Sequence, residues 1–141
     1  MDVLLDVLGD HGRGVLATIK RDGRPQLSVV AYAYDGEDRV LRVSLTDSRA
    51  KTRNLERDPR ATFQVTGSNV YSYIVVESVA ELSAVAADPH DAVVEELVEV
   101  YRRISGEHPD WDEFRAAMVE QGRRVLLMPV GHYYGIAPSG D

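Results

Sequence analysis

The residues best suited to chemistry stand in one short run, Ser44-Leu45-Thr46-Asp47-Ser48-Arg49-Ala50-Lys51-Thr52-Arg53-Asn54-Leu55. A polar strand end passes here into the start of a helix. Hydroxyls and an amide cluster with fixed cations, and a helix start offers free N–H groups and the positive end of the helix dipole. Arg49 and Lys51 fall in the first turn, where cations are electrostatically unfavourable, so a bound anion would relieve the strain. Two readings stand side by side. One is a phosphate-binding corner. The other is a solvated basic helix face, since Arg49, Arg53 and Arg57 share one side of the helix.

Other chemistry finds little support. His11, His90, His108 and His132 never take the i, i+4 spacing of a helical metal site. His132, which opens the last strand, is the one to watch. Without a G-x-S-x-G elbow, hydrolase chemistry has no local basis. Neither G-x-G-x-x-G nor a P-loop occurs, which disfavours a Rossmann nicotinamide site. Glu95, Glu96 and Glu99 read as a solvated helix face. There is no cysteine, so disulfides, thiol nucleophiles and Cys-based metal sites are excluded.

The charge balance agrees with a small anionic ligand. The 141-residue chain carries a formal charge of −7, which argues against a nucleic-acid binder with a broad basic face. From Ser48 to Arg60, five cations stand against Glu56 and Asp58, a local +3 that leaves −10 for the remainder. A basic patch in an acidic protein suits a small anion. The start of the chain lacks the basic, then apolar, pattern of a signal peptide, and no apolar run is long enough to span a bilayer. A cytoplasmic, membrane-free protein is expected.

The elements that must position this corner can be read from periodicity and turns. Asp2–Leu8 suits a short amphipathic helix. Gly14–Lys20 reads as a strand, Asp22-Gly23 as a hairpin turn, and Pro25 to Tyr34 as a second strand. Asp35-Gly36 turns the chain into Arg39–Leu45, giving an antiparallel meander. A helix capped by Asp47 or Ser48 should end near Asp58, before Pro59. Ala61–Thr66 is a fourth strand, and Val70–Val85 a long β-rich run bent near Glu77–Ser78. Asp88-Pro89 should start a helix and Gly106 end it. A second helix, about Asp110–Gln121, stops at Gly122, followed by strands at Arg123–Val130 and His132–Ala137; the tail Pro138–Asp141 should be loose. The expected fold is one α+β domain spanning residues 1–141, with six or seven antiparallel strands in a barrel and flanking helices.

Several of these runs resemble a known family. Gly14-Val15-Leu16-Ala17-Thr18-Ile19 with Asp22-Gly23-Arg24-Pro25-Gln26-Leu27-Ser28 looks like the opening hairpin of the pyridoxamine-phosphate-oxidase-like split β-barrels. Ser48 to Leu55, closing on Arg57-Asp58-Pro59-Arg60-Ala61, resembles that family's phosphate-binding corner. Gly106-Glu107-His108-Pro109-Asp110-Trp111 and Val125-Leu126-Leu127 through His132-Tyr133-Tyr134-Gly135 are similar to the small deazaflavin-binding members.

The resemblance implies an oxidoreductase using coenzyme F420, with hydride transfer to an unsaturated small molecule. It also implies a homodimer with two sites between the barrels. Arg49, Lys51 and Asn54 would hold the cofactor phosphate, with Thr52 nearby. Ser44 and Thr46 would contact the side chain or ring, and Gln26 and Ser28 would face the ring. The partner subunit would add contacts from the Ser68–Tyr73 region and the C-terminal strand. Substrate would stack over the ring in an apolar dimer cleft, with the final proton coming from His132, Tyr134 or solvent. Two departures weigh against vitamin B6 oxidation and make FMN the alternative cofactor. Gln26–Tyr34 lacks the family's basic residues on the second strand, and Pro129–Gly135 lacks its basic C-terminal motif. A non-catalytic F420 carrier is the alternative of another class.

Overall fold

The computed structural model describes residues 2–138; residues 139–141, the end of the tail expected to be loose, lie outside the described residues. A 3-10 turn, Leu5–Leu8, leads into the meander β1 (His11–Ile19), β2 (Pro25–Asp35) and β3 (Val40–Thr46). Helix α1 (Ala50–Arg57) follows, then β4 (Arg60–Thr66), β5 (Tyr73–Val79) and the two-residue β6 (Glu81–Leu82). Helices α2 (Ala92–Ser105) and α3 (Trp111–Glu120) precede β7 (Arg123–Pro129) and β8 (Tyr133–Ile136).

All eight strands join one antiparallel sheet in the order β6-β7-β3-β2-β1-β4-β5-β8. Only Ala80 separates β5 from β6, so the two act as one bent strand. Before the bend it pairs with β4, and after it with β7. The sheet thereby curls back on itself, and the expected α+β split-barrel fold is observed with eight strands rather than six or seven.

The barrel parts at one place. β2 stays paired with β1 from Pro25 to Ala33, and β3 stays paired with β7 from Val40 to Thr46. The ladder between β2 and β3 covers only Ala33↔Arg42 to Asp35↔Val40. Beyond Ala33 and Arg42 the two strands diverge, leaving a split with Val30 and Ala31 on one lip and Ser44 to Thr46 on the other.

Inward-facing residues alternate along each strand, as a pleated sheet requires. Leu16, Leu41, Phe63, Ile74 and Met128 are fully buried in the barrel. Tyr32 packs edge-on against Phe63, with ring centroids 5.2 Å apart, and donates its hydroxyl hydrogen to the Leu8 carbonyl at 2.5 Å. That bond fastens the 3-10 turn to the barrel, and burial pushes the Tyr32 phenol up to about 12. β1 can lie this close to β4 only because residue 14 is glycine. A methyl group there would sit 2.4 Å from the Phe63 ring and 2.8 Å from the Gln64 carbonyl oxygen. A second core, built from Val94, Leu97, Val98, Phe114, Met118 and Val125, holds α2 and α3 against β7.

Local details depart from expectation for identifiable reasons. Helix α1 begins at Ala50 with Arg49 as its N-cap and no side-chain cap. Asp47 is unavailable for capping because Arg53 (2.6 Å) and Arg124 (3.0 Å) bind its carboxylate. Helix α2 starts after Asp91, not at Asp88-Pro89. The Asp91 carboxylate accepts the N–H groups of Ala87, Asp88 and Val94 together, which fixes Asp88–His90 as a turn. Residues 70–72 belong to a turn gathered by the Asn69 side chain, which accepts from the Tyr71 and Ser72 N–H groups. The strand bend falls at Ala80 instead of Glu77–Ser78. Within the segment Asp2–Leu8 only Leu5–Leu8 is helical, as a single 3-10 turn rather than an α-helix. Asp110 caps α3, and Gly122, at φ 65°, turns the chain out of it as expected.

Candidate anion-binding site in the barrel split

The split opens into a concavity of about 370 Å3. Val30 and Ala31 of β2, Ser44 and Thr46 of β3, and Arg49 and Lys51 at the start of α1 line it. Arg123, the first residue of β7, completes it. The register explains Arg123: it lies directly across the ladder from Thr46. Its guanidinium donates to Gln121 Oε1 at 2.9 Å and more loosely to Ser44 Oγ at 3.4 Å.

The electrostatics of the corner are one-sided. Among the described residues, none of Arg49, Lys51 and Arg123 is ion-paired with a carboxylate. The other cations nearby are committed. Arg53 bridges Asp47 and Glu56, and Arg124 reaches the same two acids at 3.0 Å each. Arg60 pairs with Asp58 at 2.7 Å, and Arg57 donates to the Ile19 carbonyl and to Asn54. Burial, followed by repulsion from Arg49 and Arg123, holds the Lys51 ammonium below the ordinary lysine range. Burial and the Arg49 charge lower Arg123 in the same way.

The residues expected to form the site divide into two groups. Ser44, Thr46, Arg49 and Lys51 meet around the concavity. Thr52 and Asn54, expected respectively beside and on the cofactor phosphate, do not line it. Thr52 is fully buried and donates to the Thr46 carbonyl at 2.8 Å. Asn54, also buried, donates to Thr18 Oγ1 (3.1 Å) and Gln26 Oε1 (2.8 Å) while its own oxygen accepts from Arg57. Its hydrogen-bonding capacity is spent on joining α1 to β1 and β2. Gln26 is drawn into the same network. Ser28, on the inward face of β2, has a buried hydroxyl with no partner.

Sequence reasoning missed Arg123. The Arg123-Arg124 pair sits at a strand start, where alternation must send the two side chains to opposite faces. Which one joins the corner depends on the pairing of β3 with β7. His132 and Tyr134 do not line the corner. His132 lines a separate concavity with Arg60 and Glu77, and its ring lies 5.8 Å from that of Tyr134. No group of three or more metal-ligating side chains is present among the described residues. No helix of the described residues is long and apolar enough to cross a membrane.

Residues 2–134 match the family model described as pyridoxamine 5′-phosphate oxidase. The chain belongs to the pyridoxamine 5′-phosphate oxidase family. Among solved structures it is similar to an F420 reductase, at 28% identity over 86% of this chain and 88% of that one, with a TM-score of 0.63. It shares its fold with a conserved hypothetical protein of Mycobacterium tuberculosis (23% identity, 94% and 81% covered, TM-score 0.69). The heme storage protein of Vibrio cholerae has the same fold at 17% identity, with 94% and 89% covered and a TM-score of 0.61. The fold is therefore shared by proteins described by quite different ligands.

The pH dependence of anion binding follows from Lys51. A bound anion offsets the repulsion that lowers its pKa, so the complex holds the proton more tightly than the free protein. Linkage then keeps affinity full below the free-state pKa of Lys51 and removes it as pH rises from that value through the higher pKa of the complex. Lys51→Arg retains its charge and should flatten the profile. Calorimetric titration with sulfate, whose charge stays constant in this range, measures both; an equal decline in the variant would contradict the assignment.

Proposed function

We propose that the protein is an F420-dependent oxidoreductase that holds the anionic arm of the deazaflavin in the barrel split. The observation that carries this reading is the set of three cations, Arg49, Lys51 and Arg123, gathered on one concavity without a carboxylate. Guanidinium and ammonium donors suit phosphate-type oxygens, and they come from two elements that sequence separates widely. The likeness to an F420 reductase over most of both chains supports the choice of deazaflavin. The absence of Lys and Arg between Gln26 and Tyr34 weighs against FMN, the alternative cofactor.

When bound, reduced F420 supplies a hydride; the protein's work is to bind, orient and exclude water. Arg49, Lys51 and Arg123 would anchor the arm. Thr46 and Ser44 would present hydroxyls beside it. The Asn54–Thr18–Gln26 network would keep α1, and with it Arg49 and Lys51, at a fixed distance from the split. The unpartnered Ser28 hydroxyl on the same strand is a group that a ligand could satisfy.

A homodimer is part of the proposal. The outer face of the sheet aligns Val29, Val15, Gln64, Val75 and Tyr134 in one cross-strand row. Leu27 and Val29 are each 64% exposed on it, and Ile136 is 54% exposed. A contiguous apolar face of this kind usually meets a partner, and a second copy is the partner chosen here. Leu27→Glu with Val29→Glu is expected to give a folded monomer by sedimentation; an unchanged sedimentation coefficient relative to wild type would remove this face from the interface.

The function is tested by spectroscopic titration with F420 and FMN in parallel. Wild type should bind F420 more tightly than FMN. Arg49→Ala with Lys51→Ala should weaken F420 by about 100-fold or more, the scale expected for two charge-assisted contacts. Unchanged affinity would discard the corner, and tighter FMN binding would make this an FMN-dependent enzyme. Tight F420 binding with no turnover across enones, quinones and nitro compounds would identify a carrier.

A further inference from the structure

We propose that the chamber between α2, α3 and the sheet binds a neutral, planar, apolar small molecule carrying a carbonyl-type acceptor, and that this molecule is the hydride acceptor. The occupant's role as acceptor rests on the oxidoreductase reading; its binding does not. The chamber encloses about 470 Å3, a volume suited to a small ligand. Leu97, Tyr101 and Ile104 wall it from α2, and Phe114, Ala117 and Met118 from α3.

The space exists for a structural reason. Tyr101 meets His108, Trp111 and Phe114 with ring centroids 5.0–5.8 Å apart, and this aromatic cluster props the two helices at one end. At the sheet the facing side chains are small, Ala31 and Ser44, so the gap beneath the helices is not filled.

Three features select the occupant. First, Ala31, Ser44, Ile104 and Arg123 line both this chamber and the anion-binding corner. A molecule in the chamber would thus adjoin whatever the corner holds, the arrangement a two-reactant transfer requires. Second, Glu113 stands on the chamber and, among the described residues, Arg123 is the one Lys or Arg side chain that lines it, at the end shared with the corner, so an anion gains nothing by going deeper. Third, His108 Nδ1 accepts the Asp110 N–H at 2.9 Å, which places the ring proton of neutral His108 on Nε2. His108 thus adds a ring N–H donor to a lining that mixes apolar side chains with Ser44, Ser105, Glu113, Gln121 and Arg123.

The test uses the full chain without cofactor and 2-acetylnaphthalene, a neutral bicyclic ketone, as probe. Binding is followed by calorimetry and by the indole N–H resonance of Trp111, the only tryptophan. Saturable binding that shifts this resonance is expected. Ala117→Phe should weaken it by about tenfold or more by filling the chamber. Ser105→Phe, at the exposed end of α2, should do the same from the mouth without entering the core. Both should leave sulfate affinity at the corner unchanged. Failure of the probe to move the Trp111 resonance, or equal affinity in both variants, would overturn the inference. So would displacement of the probe by F420 or FMN, which would mean that the chamber receives the cofactor ring. Probe binding without F420 binding would keep the chamber and discard the proposed function; F420 binding without probe binding would do the reverse.

Discussion

Three like charges brought together without a counter-charge form the constraint around which this structure is arranged. Arg49, Lys51 and Arg123 line one concavity at the opening between β2 and β3, and the pKa values of Lys51 and Arg123 are lowered by burial and by their neighbours. Folding alone gains nothing from such a cluster. Arg49 is exposed, but Lys51 and Arg123 are half-buried, where charge without a partner is unfavourable and proteins ordinarily pair or solvate such groups. The same chain does so a few residues away, where Asp47, Glu56, Arg53 and Arg124 satisfy one another. The contrast between the two faces of α1 is what makes the unpaired trio informative.

The barrel supplies the rigidity that holds the cations in place. β2 and β3 are each fully paired on their far sides, so the split persists without either strand being free to close it. Thr52 ties the first turn of α1 to the end of β3, and Asn54 ties its last turn to β1 and β2. These buried polar bonds are of the kind whose loss costs about 1–3 kcal/mol, because the remaining partner is stranded. They convert a short helix, marginal by itself, into a fixed mount for Arg49 and Lys51.

Much of this was legible in the residues. Glycine-bearing turns and period-two strands defined the meander, and the strand-to-helix run located Arg49 and Lys51. What stayed hidden depends on contacts distant in sequence. Arg123 joins the corner only through the β3–β7 ladder, and Glu81–Leu82 becomes a strand only because β7 returns beside it. Thr52 could have been recognised as structural, since it stands three residues before Leu55 and shares the buried helix face. Asn54 could not, because its partners Thr18 and Gln26 come from the first hairpin.

The unfilled corner holds a strain that a bound anion would release. The most direct test of that strain is urea unfolding of the ligand-free protein with Arg123→Met, a change that removes one charge and keeps most of the packing. Relief of repulsion should raise stability, on the order of 1 kcal/mol, and sulfate should stabilise the variant less than wild type. A variant less stable than wild type, with sulfate stabilising both equally, would mean that Arg123 serves the fold and that the cluster holds no anion.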